Sequence, residues 1–233
     1  MPKFTCKLER YAVTVDPTRI APLEAPPDGR VSDGADILLV EDDPALRTML
    51  RALLELADYK VSEAETRVGA MQLLHADAGM RIVLLDFGLP PHAHDMSEGI
   101  ATLKQIQADI MTAKVIVLTG QDEAAAALAA IRDGAFDFLP KPVASDAILR
   151  AIGRAALFLQ KEQELRLEGI TRIAVNAQEG EGLKAIRDDA EERLVRQVLK
   201  DTGFNVFQSA RRLGVKRENV YYFMKKFGIE RDD

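Results

Sequence analysis

Cysteine is nearly missing from this chain: 233 residues contain one, Cys6. A single cysteine excludes an internal disulfide framework and any multi-cysteine zinc site. A reducing, cytoplasmic compartment is the expectation that follows. Long apolar runs are missing too. None reaches the ~18 residues a membrane helix needs, so no membrane partner is expected. The opening MPKFTCKLER is charged and has no apolar h-region, which speaks against a signal peptide. The pattern G-x-x-x-x-G-K-[ST] does not occur, so no ATP binding through a P-loop is expected. What remains is ordinary globular composition, 47% hydrophobic and 29% charged. A net positive charge is also lacking. The formal value is −6, a sign that by itself argues against a nucleic-acid binder.

The charge is unevenly spread. Residues 1–35 carry 5 basic and 5 acidic side chains. Residues 36–183 carry 14 basic against 23 acidic, and residues 184–233 carry 12 against 9. Within 203–229, Arg211, Arg212, Lys216, Arg217, Lys225 and Lys226 face Glu218 alone. An acidic body joined to a small basic tail suggests two separate tasks.

Residues 1–35 hold five prolines and no sustained period, and read as a flexible or loosely docked arm. From Asp36 the pattern becomes regular. Ile37–Val40, Arg81–Asp86 and Lys114–Thr119 are short apolar runs rich in branched residues, as buried strands require. Tyr59–Ala64 and Phe136–Leu139 complete a set of five. Between them lie helical patterns. One starts at Pro44, with Leu46, Met49, Leu50, Leu53, Leu54 and Ala57 at helical spacing. Thr66–Ala76 places Val68, Met71 and Leu74 inward. Ser97–Asp109 and Asp122–Asp133 follow, and a last helix runs from Ser145 to about residue 168. Strands alternating with helices imply right-handed crossovers and a parallel, doubly wound sheet covered on both faces. The expected fold class is therefore α/β, a five-stranded flavodoxin-like domain over 36–158.

In such sheets ligands sit beyond the carboxyl ends of the strands. There the sequence places Glu41 and Asp42 after strand one, Asp86 after strand three, Thr119 after strand four and Lys141 after strand five. Clustered carboxylates repel unless a cation joins them. Magnesium takes one or two carboxylates and bridges to phosphate oxygens. A neighbouring carboxylate can act as nucleophile toward a phosphoryl group, which a lysine and a hydroxyl can hold. Any one of these residues is by itself more simply a turn or cap; five at the ends of four strands are not.

The stretches ILLVEDDPALR, IVLLDFGLP, KVIVLTG and GAFDFLPKPV resemble the receiver domain of bacterial two-component response regulators. The resemblance implies that Asp86 accepts phosphate from a histidine kinase. It implies Mg2+ at Glu41, Asp42 and Asp86, with Asp43 just outside the set. Thr119 and Phe138 would be the switch residues, Lys141 would bind the phosphoryl group, and Pro142 would favour a cis bond. The loop FGLPPHAHDMSEG is longer than usual, and DFGLPP followed by SEG resembles receivers of regulators associated with PEP-CTERM exopolysaccharide systems. Its His92 and His94 could suggest a metal, but two histidines on a loop read more simply as exposed. Gly88 stands where a larger side chain is frequent, which with Gln121 leaves the phosphoryl lifetime open.

Leu149, Ile152, Ala156 and Leu159 repeat at 3, 4 and 3, compatible either with a short coiled coil or with a helix packed on its own receiver. Residues 159–187 read as a helical, then glycine-containing flexible linker. The segment 188–233 reads as a small all-α domain. Asp188–Asp201 is an amphipathic helix with Leu194, Val195, Val198 and Leu199 on one side and acids in its first turn. Asn205 caps Val206–Leu213, Gly214-Val215 makes a turn, and Arg217–Phe227 is a third helix stopped by Gly228. A glycine turn before a basic helix is the helix-turn-helix pattern. TGFNVFQSARRLGVKRENVYYFMKKFGI resembles the Fis-type helix-turn-helix that ends many enhancer-binding regulators, which commonly carry a central ATPase domain. Here only about 30 residues intervene. By position, Lys216, Arg217, Asn219 and Tyr222 would face the DNA groove or its edges, and Lys225 and Lys226 its phosphates. Phe207 stands where a small polar phosphate contact is usual, and Tyr222 where a basic residue is frequent.

The expected function is a phosphorylation-controlled, DNA-binding response regulator acting as a homodimer, not an enzyme. The alternative is a protein-interaction regulator whose tail dimerises or binds another regulator. A phosphohydrolase with an aspartyl nucleophile fits poorly, because such enzymes generally carry a second aspartate two residues on, where this chain has Gly88.

Overall fold

The computed structural model describes residues 36–230, except 78, 92–95, 121–122, 174, 176–179 and 181, and except the side chains of 123–127. The expected arm, His92, His94 and Gln121 lie outside the described residues. The chain divides into two compact units, the first ending at Leu157 and the second starting at Phe158.

The first unit alternates strand and helix without interruption. The strands are β1 (Asp36–Val40), β2 (Lys60–Ala64), β3 (Ile82–Asp86), β4 (Lys114–Thr119) and β5 (Asp137–Pro140). The helices are α1 (Pro44–Leu56), α2 (Arg67–Ala76), α3 (Ser97–Asp109), α4 (Glu123–Arg132) and the first part of α5 (Ser145–Leu167), whose residues from Phe158 onward fall in the second unit. All neighbouring strands pair in parallel, in the order β2-β1-β3-β4-β5. The chain therefore reverses its direction of winding between β1 and β3. The three central strands are apolar except at their ends, because both of their faces are covered. Leu38, Val40, Val83, Leu85, Val115 and Val117 face α2, α3 and α4, packing on Met71, Leu74, Leu103 and Ile106. Ile37, Leu39, Leu84, Ile116 and Leu118 alternate to the opposite face and are buried as well. That leaves α1 and α5 to cover them, through Leu50, Leu54, Ile148 and Ile152.

Two residues of the apolar helical patterns, of which Val68 is the one expected inward, face solvent. Met49 is 58% exposed and Val68 is 65% exposed. In α1 the buried pair is Leu50 and Leu54, one turn apart, and Met49 falls beside that stripe. In α2 small Ala70 takes the inward place with Met71 and Leu74, so Val68 is rotated out. Ile152 and Ala156 are buried within the chain itself, which favours a helix packed on its own receiver over a coiled coil for this part of α5.

The second unit contains α6 (Leu183–Asp201), α7 (Val206–Leu213) and α8 (Arg217–Lys226). Helix α6 begins five residues earlier than the sequence pattern indicates, so 183–187 are helical rather than a joint. Asp188 and Asp189 consequently lie beyond the first turn and make side-chain ion pairs with Lys226 and Arg193 instead. Val195, Leu199, Ala210, Val220 and Ile229 form the core, with Phe204, Val215, Phe223 and Phe227 packed around it. Asn205 caps α7 by accepting from the Gln208 N–H at 3.1 Å. Gly214 holds φ +67° between α7 and α8, a left-handed conformation that disfavours residues with a Cβ. Among the described residues no helix is long and apolar enough to cross a membrane.

Candidate phosphoryl site and basic tail surface

The acidic site is assembled by strand register. β1 and β3 are neighbours, so Glu41, one residue past β1, and Asp86, the last of β3, reach the same end of the sheet. Three backbone bonds extend the ladders one step and fix the loops that follow: Glu41 N to Ala64 O at 3.1 Å, Phe87 N to Leu118 O at 3.1 Å and Lys141 N to Thr119 O at 2.6 Å. Glu41, Asp42 and Asp86 bring carboxylate oxygens within 4.8 Å of one another. Glu41 and Asp86 are buried, at 1% and 7% exposure. Lys141 Nζ stands 2.9 Å from Glu41 Oε2 and 3.0 Å from Asp86 Oδ2. The Lys141–Pro142 bond is cis, as is Pro90–Pro91.

Charge in this pocket is strained. Burial pushes the Glu41 carboxyl above the usual carboxylate range. The Lys141 hydrogen bond offsets this only in part, and the Asp86 charge adds to the rise. Burial alone would lower the Lys141 ammonium, but hydrogen bonds and charge from Glu41 and Asp86 overcome it and raise it. Asp43 is differently occupied: its carboxylate accepts from Ala45 N at 2.8 Å and Leu46 N at 2.9 Å, capping α1. These bonds hold its carboxyl below the ordinary value, and they explain why the third acid of the run is not part of the cluster.

Thr119 supplies a further observation. It is 2% exposed, and its Oγ1 is the one buried side-chain polar atom among the described residues with no hydrogen-bond partner. A buried hydroxyl without a partner costs free energy. Its position at the end of β4, beside the cluster, suits an oxygen-rich ligand that would satisfy it. The donor set of three carboxylates likewise suits a hard divalent cation such as Mg2+. Phe138, three residues before Lys141, is half-buried and packs against the core formed with α2–α4.

Two supporting residues escaped the sequence reading. Arg47 donates from Nη1 to the carbonyls of Glu41 at 2.7 Å and Asp42 at 3.2 Å, while its Nη2 meets Glu65 at 2.6 Å. It ties the loop bearing two of the acids to the end of β2. Its spacing from Glu41 carries no recognisable signal, because the contact is to backbone. Gly99 is the second. A Cβ there would lie 2.3 Å from Phe87 Cα and 2.6 Å from Phe87 O. Helix α3 can approach the segment following Asp86 only because residue 99 lacks a side chain.

On the tail, Lys216, Arg217, Asn219, Tyr222 and Lys225 are all exposed, as a groove-facing set requires. Tyr222 is 60% exposed and meets Phe223 edge-on. Lys226 is exposed as well and is already paired within the tail. Its Nζ lies 2.9 Å from Asp188 and 2.7 Å from Glu191, and 4.6 Å from the Phe227 ring. With two carboxylates in hand it fastens α8 to α6, and a phosphate would have to displace them. Arg196 serves the same junction by donating to Phe227 O at 2.7 Å.

Known proteins agree with both halves. Residues 37–153 match the response regulator receiver domain family, and residues 186–227 match the bacterial regulatory protein, Fis family. The C4-dicarboxylate transport transcriptional regulatory protein DctD of Rhizobium meliloti is 31% identical over 171 residues, which are 73% of this chain and 35% of that protein. The chemotaxis protein CheY of Listeria monocytogenes is 32% identical over 52% of this chain and 97% of its own length. Among solved structures, a CheY-like response regulator receiver domain from Methanospirillum hungatei superposes with a TM-score of 0.51 at 25% identity, covering 56% of this chain and 99% of that one. The chain belongs to the response regulator receiver family and joins that domain to a Fis-type helix-turn-helix. It spans about a third of the length of DctD.

Proposed function

We propose that this chain is a response regulator in which phosphorylation of Asp86 by a histidine kinase controls dimerisation and sequence-specific DNA binding by the tail. The observation that carries the reading is the Lys141 ammonium held between Asp86 and Glu41 beside the partnerless Thr119 hydroxyl. An Asp86 carboxylate oxygen attacks the phosphorus of a phosphohistidine; the new P–O bond forms as the P–N bond breaks, and the imidazole leaves with the electron pair. Lys141 turns from Glu41 toward the phosphoryl oxygens, and the Thr119 hydroxyl donates to one of them. Glu41, Asp42 and Asp86 would hold Mg2+, whose charge offsets that of the incoming phosphoryl group.

Phosphorylation adds nearly two negative charges at Asp86. Drawing Thr119 toward it vacates space that Phe138, on the adjoining strand, can fill. The surface of α4, β5 and α5 then changes as a population shift between two states. Dimerisation would place two tails on half-sites about one helical turn apart. Lys216, Arg217, Asn219, Tyr222 and Lys225 supply the contacts, and affinity falls with salt as phosphate contacts release counterions. With no P-loop between the units, the protein acts in the cytoplasm by binding rather than by ATP hydrolysis. The DFGLPP–SEG loop supports a place among regulators of PEP-CTERM exopolysaccharide systems. The test is uptake of phosphate from a small phosphodonor with Mg2+, read by intact mass, followed by gel shift of the same samples. Wild type gains one phosphoryl group and changes its DNA affinity; Asp86→Asn does neither. Uptake by that variant would sink the assignment.

A further inference from the structure

Two aromatic rings on the tail, Tyr221 and Phe207, are used neither by the fold nor by the phosphoryl site, and of these Phe207 lines a cleft. Phe207, the second residue of α7, is 65% exposed. Its neighbours do the folding: Val206 packs on the tail core, and Asn205 caps the helix. The other phenylalanines of the helix-turn-helix, Phe204, Phe223 and Phe227, all pack inward. Phe207 instead walls an open cleft of about 440 Å³ between α7 and the start of α8. Ala210 and Val215 line it, and Arg211, Lys216, Arg217 and Glu218 complete it.

The lining states what the occupant must offer. Three cations against one carboxylate call for an anionic partner, which disfavours an apolar peptide. The exposed ring favours an anion that also carries an apolar group. Arg217 and Glu218, exposed in the first turn of α8, ask for planar donor and acceptor edges. Duplex DNA meets all three conditions. Its phosphates are anionic, its major-groove base edges match arginine and glutamate, and its one apolar feature there is the thymine 5-methyl group.

We propose that Phe207 is a specificity residue that reads thymine, its ring covering the 5-methyl group while Arg217 and Glu218 read the adjacent base pairs. The proposal rests on the DNA-binding reading of the tail and names which chemistry on DNA this cleft selects.

The test uses the full chain and a duplex selected from a random pool. Each thymine of the duplex is replaced in turn by deoxyuridine, which lacks only the methyl group, and affinity is read by fluorescence anisotropy. Burial of one methyl group is worth about a 4-fold change in affinity. Wild type is expected to lose about that factor at one position per half-site. Phe207→Ala, which removes no core contact, is expected to bind the thymine duplex at least that much more weakly and to treat thymine and deoxyuridine alike at that position. Wild-type indifference to every replacement, or sensitivity kept by Phe207→Ala, overturns the proposal and points to a sugar or protein contact instead. If no duplex is selected at all, the DNA reading itself fails, while phosphate uptake at Asp86 is judged separately.

Discussion

Gly99→Ala tests the link between helix α3 and the acidic site most sharply. The added methyl carbon would sit 2.3 Å from Phe87 Cα, 2.6 Å from Phe87 O and 2.8 Å from Phe87 C. Carbon atoms rest at about 3.5–4.0 Å, so α3 would have to retreat by more than ~1 Å or push back the backbone after Asp86. The obstacle is backbone at the end of a buried strand, with Phe87 itself 1% exposed; no flexible side chain can swing aside. Overpacking of this kind costs about 1–3 kcal/mol. Because the clash is with backbone that cannot swing aside, the upper part of that range, about 2–3 kcal/mol, applies; alanine's better helix propensity returns at most ~1 kcal/mol, so a net loss of about 1–2 kcal/mol is expected. For a domain of this size that lowers the thermal midpoint by roughly 4–12 °C. Urea unfolding followed by circular dichroism measures it, and phosphate uptake from a small donor should slow in parallel because Phe87 adjoins Asp86. A variant as stable as wild type would refute the close-approach argument.

Two further outcomes follow from the polar groups. Thr119→Val removes a buried hydroxyl that has no partner, so the unphosphorylated protein is expected to lose little stability, within ~1 kcal/mol, or to gain some. The same variant should still take up phosphate but fail to change its DNA affinity in the gel shift. On the tail, the hydrogen bond from Lys226 holds the Asp188 carboxyl below its ordinary value. Glu191 and then Asp188 hold the Lys226 ammonium above its own. The Asp188 contribution is complete above the unfolded carboxylate pKa near ~4 and disappears as pH falls through the lower folded value. The Lys226 contribution is complete below ~10 and disappears as pH rises through its raised folded value. Arg187 and Lys184 add to the positive field at Asp188. Lys226→Met should therefore lower the unfolding midpoint of the tail at neutral pH and lose that difference in acid or high salt. An undiminished difference at acid pH would show that the ion pairs are not its source.

Much of this architecture could be read along the chain. DILLV, IVLLD and KVIVLT are short, apolar and branched because strands buried on both faces admit little else. Asp86 and Lys141 were recognisable because residues at strand ends converge in any parallel, doubly wound sheet. The glycine turn of the tail was legible for a local reason, its φ of +67°. Other features had no local signature. Val68 and Ala70 are both apolar, and only the neighbours of α2 decide which turns inward. Arg47 acts on backbone carbonyls, so no pairing of residue types announces it. Lys226 looks like a DNA contact in a basic run, and only the fold of α6 against α8 gives it Asp188 and Glu191.

The sequence by itself determined the alternation of strand and helix, the order of the acidic, hydroxyl and lysine residues, and the division between acidic body and basic tail. These depend on periodicity and composition, which are properties of the chain read in order. The tertiary structure decided which of three consecutive acids serve the cluster and which caps a helix. It also decided that Thr119 is left without a partner, that Gly99 must have no side chain, and that Phe207 stands in a cationic cleft while Lys226 does not. Each of these depends on atoms distant in sequence meeting within a few ångströms, and only the fold sets such distances.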